Sequence, residues 1–462
     1  MSSSGKAVRC ASLRFLDEIK LPFKFLIALL VMAWASLAGA QTIQPLCSFN
    51  GANGANPGAP LTLANDGNFY GTTFYGGASG AGTVFGVTTN GTLTPLASFI
   101  QNSTPYPSRL TVGPDGNFYG TTSSGGSDSE GSVFQVMTDG TLTTLFSFTG
   151  GVAMSPSLLT LGLDGNFYGT TFDGGEDYGG TVFRVDTNGT LTTLDSFFVT
   201  NGANPPAGLT LGQDGNFYGT TYYGGITDSG NHLGWGTIFR LDTNGNLTTL
   251  ASFNGTNGVN PSAALTLSPD GTFYGTAAGG GSEGTIFEVT TNGTLIPFAS
   301  FNGAEVPINC QCSTALAFGN DGNLYGTTYS GGIGLGSIFQ ATTNGTLTTL
   351  AVFQGTNGSY PNGLTLGNDG NFYGSTYYGG NGSPGYGTVF RLLLPLAFVA
   401  QPQNVTNTNG ASITFVAAAT SPLAVTYQWQ RNNTNLVNAG NLYGVNTTRL
   451  TIAGISDSDA GS

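Results

Sequence analysis

One eight-residue run returns seven times along this chain, and that period limits the fold more than any other feature. The first copy is Asp66-Gly67-Asn68-Phe69-Tyr70-Gly71-Thr72-Thr73, and later copies begin at Asp115, Asp164, Asp214, Asp270, Asp321 and Asp369. A second run, Gly-Thr/Ser-Val/Ile-Phe, begins at Gly82, Gly131, Gly180, Gly236, Gly284, Gly336 and Gly387. A third, Thr-Asn/Asp-Gly-Thr/Asn-Leu, begins at Thr89, Thr138, Thr187, Thr243, Thr291 and Thr343. The period is about 50 residues, long enough for one small sheet per repeat.

The fourth repeat shows the internal plan. Residues 207–212, 216–221, 236–241 and 246–253 read as four strands, rich in Thr, Val, Ile, Phe and Tyr as half-buried pleated surfaces require. Asp214-Gly215 joins the first pair and Asn244-Gly245 the last pair, which suits two-residue hairpins with positive φ. Four antiparallel strands per repeat is the unit of a β-propeller blade. The seventh repeat ends after Gly387–Leu392 without a fourth strand, while residues 42–49 have that strand's form and precede the first repeat. The N-terminal strand is therefore expected to complete the last blade and remove exposed edges.

The expected fold class is all-β: a seven-bladed β-propeller of four-stranded blades over residues 41–394, closed by the N-terminal strand. The runs Asp-Gly-Asn-Phe-Tyr-Gly-Thr-Thr, Tyr-Gly-Gly and Gly-Thr-Val-Phe resemble the GloVer-type tandem repeat of bacterial surface proteins. The resemblance implies export and surface display and no assigned activity.

Residues 395–462 break the pattern. Strand-like runs at 411–416, 425–430 and 448–452 resemble a bacterial immunoglobulin-like domain with Trp429 as its core tryptophan and without the usual cysteine pair. The last strands of such a sandwich are missing, so an incomplete immunoglobulin-like β-sandwich is expected. At the other end, Lys20 and Lys24 precede the apolar run Phe25–Trp34 and then Ala38-Gly39-Ala40. Residues 1–40 read as a signal peptide, and the protein as secreted or displayed at the cell surface, with no transmembrane segment in the mature chain. Cys47, Cys310 and Cys312 would remain after cleavage, too few for a disulfide framework.

From residue 41 onward six arginines face 22 acidic residues. A phosphate backbone needs a basic footprint, so no nucleic-acid partner is expected. The repeated Asp-x-Asn invites a calcium reading, but one carboxylate per repeat and the self-bonding habit of Asp and Asn favour a structural turn. Asn90-Gly91-Thr92 and its copies match a glycosylation sequon and equally a hairpin turn. With one histidine (His232) no metal site is expected, and no cofactor. Catalytic motifs are lacking, so the chain is expected not to be an enzyme. The alternatives are a propeller-type glycoside-cleaving enzyme using a carboxylate pair near the ring axis, and a passive structural spacer. The favoured expectation is a binding protein for a surface polysaccharide or a protein, through one loop-rich face. Its candidate binding residues are Tyr75, Phe172, Tyr223, His232, Trp235 and Tyr378.

Overall fold

The computed structural model describes residues 41–462 except 101–104, 152, 227–232, 281–283, 302–314, 381–384, 395–396, 401, 403–406, 409, 421–426, 432–433 and 457–462. The expected signal peptide, His232, Cys310 and Cys312 lie outside the described residues. Ala40–Leu393 forms one compact unit. Among its described residues are seven antiparallel sheets of four or five strands. The fourth is typical: Thr210–Leu211, Phe217–Thr221, Thr237–Leu241 and Leu247–Ser252 lie side by side in chain order. Phe217 pairs with Leu241, Gly219 with Phe239 and Thr221 with Thr237. Every ladder between third and fourth strands carries a bulge at the same place, which sharpens the local twist.

The first strand differs from expectation. In six sheets only two of its residues keep the ladder, and a second short piece upstream pairs with the far end of the second strand, as in Ala55–Pro57, Ala153–Pro156 and Val259–Pro261, whereas in the last sheet Ser359–Leu366 runs as one strand with a bulge. Its proline has no N–H to give, which an edge strand tolerates. The hairpins also differ. Gly67 N–H donates to Ala64 O (3.0 Å) and Ala64 N–H to Asn68 O (3.0 Å), so the loop holds three residues, not two. Only the glycine is left-handed (Gly67 φ 79°, Gly91 φ 91°). A type I turn closed by one left-handed glycine needs a single positive φ, whereas the expected two-residue turn needs two.

The repeated side chains explain how sheet follows sheet. Phe197 at the end of one fourth strand packs edge-on to Phe239 of the next sheet (4.9 Å between centroids). The same contact recurs at Phe99–Phe134, Phe148–Phe183, Phe253–Phe287, Phe301–Phe339 and Phe353–Phe390. Tyr168 of one second strand stacks on Phe217 of the next (4.2 Å). Thr160 Oγ1, in a first strand, donates to Leu209 O of the following repeat (2.6 Å). The two threonines of the Gly-Thr-Thr run divide the work: Thr170 Oγ1 donates to Ala207 O of the next repeat (3.1 Å), and Thr171 shares a bond with Thr181 of its own sheet (2.9 Å).

The strand Thr42–Ser48 pairs antiparallel with Thr388–Leu393 and supplies the outer strand of the last sheet. The last sheet then meets the first through the same set of contacts. Phe49 packs on Phe85 (5.0 Å), Tyr373 on Phe69 (4.2 Å), and Thr365 Oγ1 donates to Leu61 O (2.6 Å). Burying an aromatic of this size stabilises by about 1.5–3 kcal/mol, so each repeated seal is a substantial term.

The chain after Leu393 is a separate unit. Ile413–Val416, Arg449–Ile452 and Leu442–Tyr443 form one small antiparallel sheet, and Ala397–Ala400 pairs with Ala418–Thr420. Trp429 is half-buried 6.3 Å from Phe415 and donates from Nε1 to Thr447 O (2.9 Å). No helix among the described residues is long and apolar enough to cross a membrane.

Candidate functional site

Each second strand ends in Gly-Thr-Thr, varied to Gly-Thr-Ala in the fifth repeat and Gly-Ser-Thr in the seventh, followed by two residues that vary. The split first strand of the next repeat reaches this end, led by a residue before proline in the left-handed region: Asn56 (φ 54°), Tyr106 (44°), Ser155 (53°), Asn204 (55°), Asn260 (47°) and Tyr360 (57°). This conformation is strained for a side chain before proline, at about 1–3 kcal/mol each. Backbone bonds hold it: Asn204 N–H donates to Gly179 O (2.6 Å), and its side-chain amide donates to Phe172 O (3.0 Å). Asn56 and Asn260 bond Tyr377 O and Tyr222 O in the same way (2.9 and 2.8 Å).

Where that residue is tyrosine, rings accumulate. Tyr106 stands edge-on to Phe74 (5.2 Å) and Tyr75 (6.1 Å), and its hydroxyl meets that of Tyr75 at 3.3 Å. Phe74 continues to Tyr377 (6.0 Å), Tyr377 to Tyr378 (4.6 Å), Tyr378 to Tyr360 (5.9 Å), and Tyr360 to Tyr329 (4.7 Å). Seven rings thus form one unbroken arc across the sixth, seventh, first and second repeats. Tyr106 is exposed and the other six are half-buried. A Cβ built on Gly58 would stand 2.0 Å from the Phe74 ring, so only glycine there lets the ring lie where it links Tyr377 to Tyr106. The third, fourth and fifth repeats carry Ser155, Asn204 and Asn260 instead of tyrosine before proline, and the fifth has Ala278 and Gly279 where Phe74 and Tyr75 stand in the first, so the arc is confined to four of the repeats.

Three phenols of the arc are held in their neutral form. The hydrogen bond with Tyr106, helped by burial, pushes Tyr75 up to about 12. Burial and the neighbouring tyrosines raise Tyr329 and Tyr377 above the ordinary phenol value. Neutral phenol O–H groups donate and accept, and the ring faces stay apolar.

Of the six residues expected from the sequence, Tyr75 and Tyr378 belong to the arc. Tyr223 pairs edge-on with Tyr222 (4.8 Å) in the fourth repeat, and Phe172 lies half-buried in the third; neither is linked to the arc by a ring contact among the described residues. Trp235 packs half-buried against the core around Phe253 and Leu265, and its carbonyl accepts from Asn260 N–H (2.8 Å). Sequence reasoning missed Phe74, Tyr106, Tyr329, Tyr360 and Tyr377. The available signal was tyrosine immediately before proline at Tyr106-Pro107 and Tyr360-Pro361.

The motif aspartates sit at the opposite end of the second strand. Asp164 accepts from Asn166 N–H (3.1 Å), the Asn166 amide (2.7 Å) and Tyr168 OH (2.9 Å), and Asp66, Asp115, Asp214, Asp321 and Asp369 repeat the pattern. Both oxygens are engaged by the aspartate's own turn. Asn90 likewise bonds Thr92 within its hairpin. Among the described residues no cluster of His, Cys, Asp and Glu is arranged to hold a metal. A cavity of about 380 Å³ beside the third repeat's long loop has one carboxylate, Glu176, in its lining.

The fold has close company. A streptogramin B lyase structure superposes with a TM-score of 0.56 at 18% identity, covering 77% of this chain and 98% of that one. Virginiamycin B lyase from Staphylococcus aureus gives 0.56 at 16% identity, covering 76% and 99%, and its catalytically inactive form with quinupristin gives 0.54 at 15%. At such identities the likeness is one of propeller-like fold. No curated protein matches the chain. The Gloeobacter/Verrucomicrobia repeat matches residues 36–233 and 225–332, more than half of the sequence and the same repeats whose sheets pack one on the next, and the chain belongs to that family.

Proposed function

We propose that this protein is an exported binding protein that holds a saccharide chain along the tyrosine arc of a closed, seven-bladed propeller. The observation that carries the reading is the arc itself: seven partly exposed rings with successive centroids 4.6–6.1 Å apart, spread over four repeats. The apolar C–H faces of sugars stack on such rings, and phenol hydroxyls meet sugar hydroxyls, so ring and rim serve the same ligand. Two of the six strained residues before proline, Tyr106 and Tyr360, stand in the arc itself. Closure of the ring is supported by Phe49, Tyr373 and Thr365, which repeat at the last junction the contacts of the others. Export is supported by the Lys20/Lys24, apolar, Ala38-Gly39-Ala40 sequence, and mass spectrometry of the mature N-terminus tests it. An immunoglobulin-like reading of residues 395–462 is supported by Trp429 beside Phe415.

A glycan array followed by calorimetry tests the binding reading. Tyr106→Ala and Tyr360→Ala should each weaken binding about ten-fold or more, as truncating an aromatic anchor does. Gly58→Ala, which removes no ring but displaces Phe74, should weaken it too. Equal affinity in all three variants would sink the reading. So would turnover of the bound glycan abolished by one Asp or Glu substitution.

A further inference from the structure

The first strands of neighbouring repeats touch one another, so their side chains surround the middle of the ring. In each repeat the leucine of this strand is buried in the core, as Leu61, Leu110 and Leu159 are. The following threonine bonds the next repeat, as Thr62 Oγ1 does to Leu110 O (2.5 Å) and Thr111 Oγ1 to Leu159 O (2.6 Å). The residue before the leucine precedes the paired residues of this strand, and in the second repeat its side chain reaches Thr62 on the first strand of the preceding repeat, beside the space these strands enclose. Six repeats place Pro60, Leu158, Gly208, Ala264, Ala315 and Gly363 there, all apolar. The second repeat places Arg109.

Arg109 is half-buried, so solvent reaches it, yet protein surrounds it, and burial pulls its guanidinium below the ordinary arginine value. It makes one long hydrogen bond, from Nε to Thr62 Oγ1 at 3.4 Å, and no carboxylate pairs with it among the described residues. A guanidinium presents five donors in a fixed fork, and one long bond leaves the fork free. An enclosed cation without a counter-charge is costly to keep, because water no longer solvates it fully. The carboxylates of the Asp-Gly-Asn turns do not compensate, being held by their own turns at the other end of the second strand.

We infer that Arg109 is the receptor of an oxyanion site inside the ring, taking the carboxylate, sulfate or phosphate of a ligand in a bidentate grip. The inference rests on the closed ring and not on the tyrosine arc. The site admits two sources of the same chemistry: a free inorganic oxyanion, or the acidic substituent of a sugar. Burial strengthens the ion pair, and the equivalent positions of the other six repeats offer an anion no second cation, so a single charged group is the expected cargo.

Thermal melts of the full chain in sulfate, in glucuronate, in glucose and in sodium chloride of matched ionic strength test the site. Sulfate should raise the melting temperature saturably, chloride and glucose should not, and Arg109→Met should abolish the rise. Glucuronate acting at ten-fold lower concentration than sulfate would assign the site to an acidic sugar; equal potency would assign it to a free oxyanion. In the unliganded state Arg109→Met should melt at or above the wild type, since it removes an unpaired charge. A parallel readout needs no variant: sulfate should protect Arg109 from phenylglyoxal, followed by peptide mapping, while Arg449 stays reactive. Melts and labelling of the wild type that do not respond to either oxyanion would overturn the inference. So would an Arg109→Met protein that responds like the wild type, or that is strongly destabilised without any anion dependence.

Discussion

At the residue scale the repeated aspartate is a turn-holder, and its chemistry makes a prediction. Burial pushes the Asp164 carboxyl up, but bonds from Asn166 and Tyr168 outweigh it and leave the group below its ordinary value. A carboxyl with a depressed folded value contributes stability above its unfolded value, and that stability is lost as pH falls through the folded value. Asp66, Asp115 and Asp214 share the direction, so melting temperatures should fall steeply below about pH 4, where unfolded carboxyls take up protons. Asp164→Ala should cost about 1–3 kcal/mol by leaving the Asn166 amide and Tyr168 hydroxyl unpaired. Asp270→Ala should cost less, because Thr272 replaces the asparagine and Tyr274 turns instead to Glu288 (3.4 Å). Denaturant midpoints of the two variants check the difference; equal losses would mean that the turn bonds do not matter. The arc tyrosines run the other way. The raised values of Tyr75, Tyr329 and Tyr377 mean stability present below about pH 10 and lost on rising through the folded value, so glycan affinity should stay flat from pH 6 to 9.

At the element scale the phenylalanine that ends each outer strand is the seal between sheets. If the N-terminal strand does the same work as the others, Phe49→Ala and Phe197→Ala should lose similar stability, about 3–5 kcal/mol. Both are fully buried against a partner phenylalanine in the next sheet. Urea melts decide it: a loss at Phe49 far smaller than at Phe197 would show that the first strand only decorates the last sheet. A second close approach belongs to the same strand. A Cβ on Gly91 would meet Leu46 O at 2.6 Å, where the bulge of the outer strand receives the neighbouring hairpin. Gly140 meets Leu96 O at 2.5 Å, so the fit is a general device of the repeat.

At the scale of the whole molecule, a ring closed by pairing the first strand with the last repeat has no preferred starting point. Moving residues 41–49 to follow Leu393 through a Thr-Asn-Gly hairpin like those of the other repeats should therefore preserve the fold, whereas deleting them should lower the melting temperature and uncover the edge of Thr388–Leu393. Circular dichroism melts of both proteins distinguish a closed ring, which requires the strand but not its covalent position, from an open array. The arc adds a constraint of its own. It crosses the junction between the seventh and first repeats through Tyr377 and Phe74, so loss of closure should also lower glycan affinity.

Local rules sufficed to specify what repeats locally. The strand-forming composition of Phe217 to Thr221, the Asp214-Gly215 and Asn244-Gly245 hairpins, and the strand displaced to residues 42–49 are properties of neighbouring residues and of the count of repeats. The exact hairpin form was not legible there, because a dipeptide such as Asp-Gly fits loops of two or three residues and the ladder chooses between them. Tertiary structure decided the site. Tyr106 and Tyr75 are 31 residues apart, and Tyr377 and Phe74 lie at opposite ends of the repeats, yet strained tyrosine–proline turns and Gly58 bring all four into one arc. A period in sequence says which positions are equivalent; only the closed packing says which equivalent positions face each other.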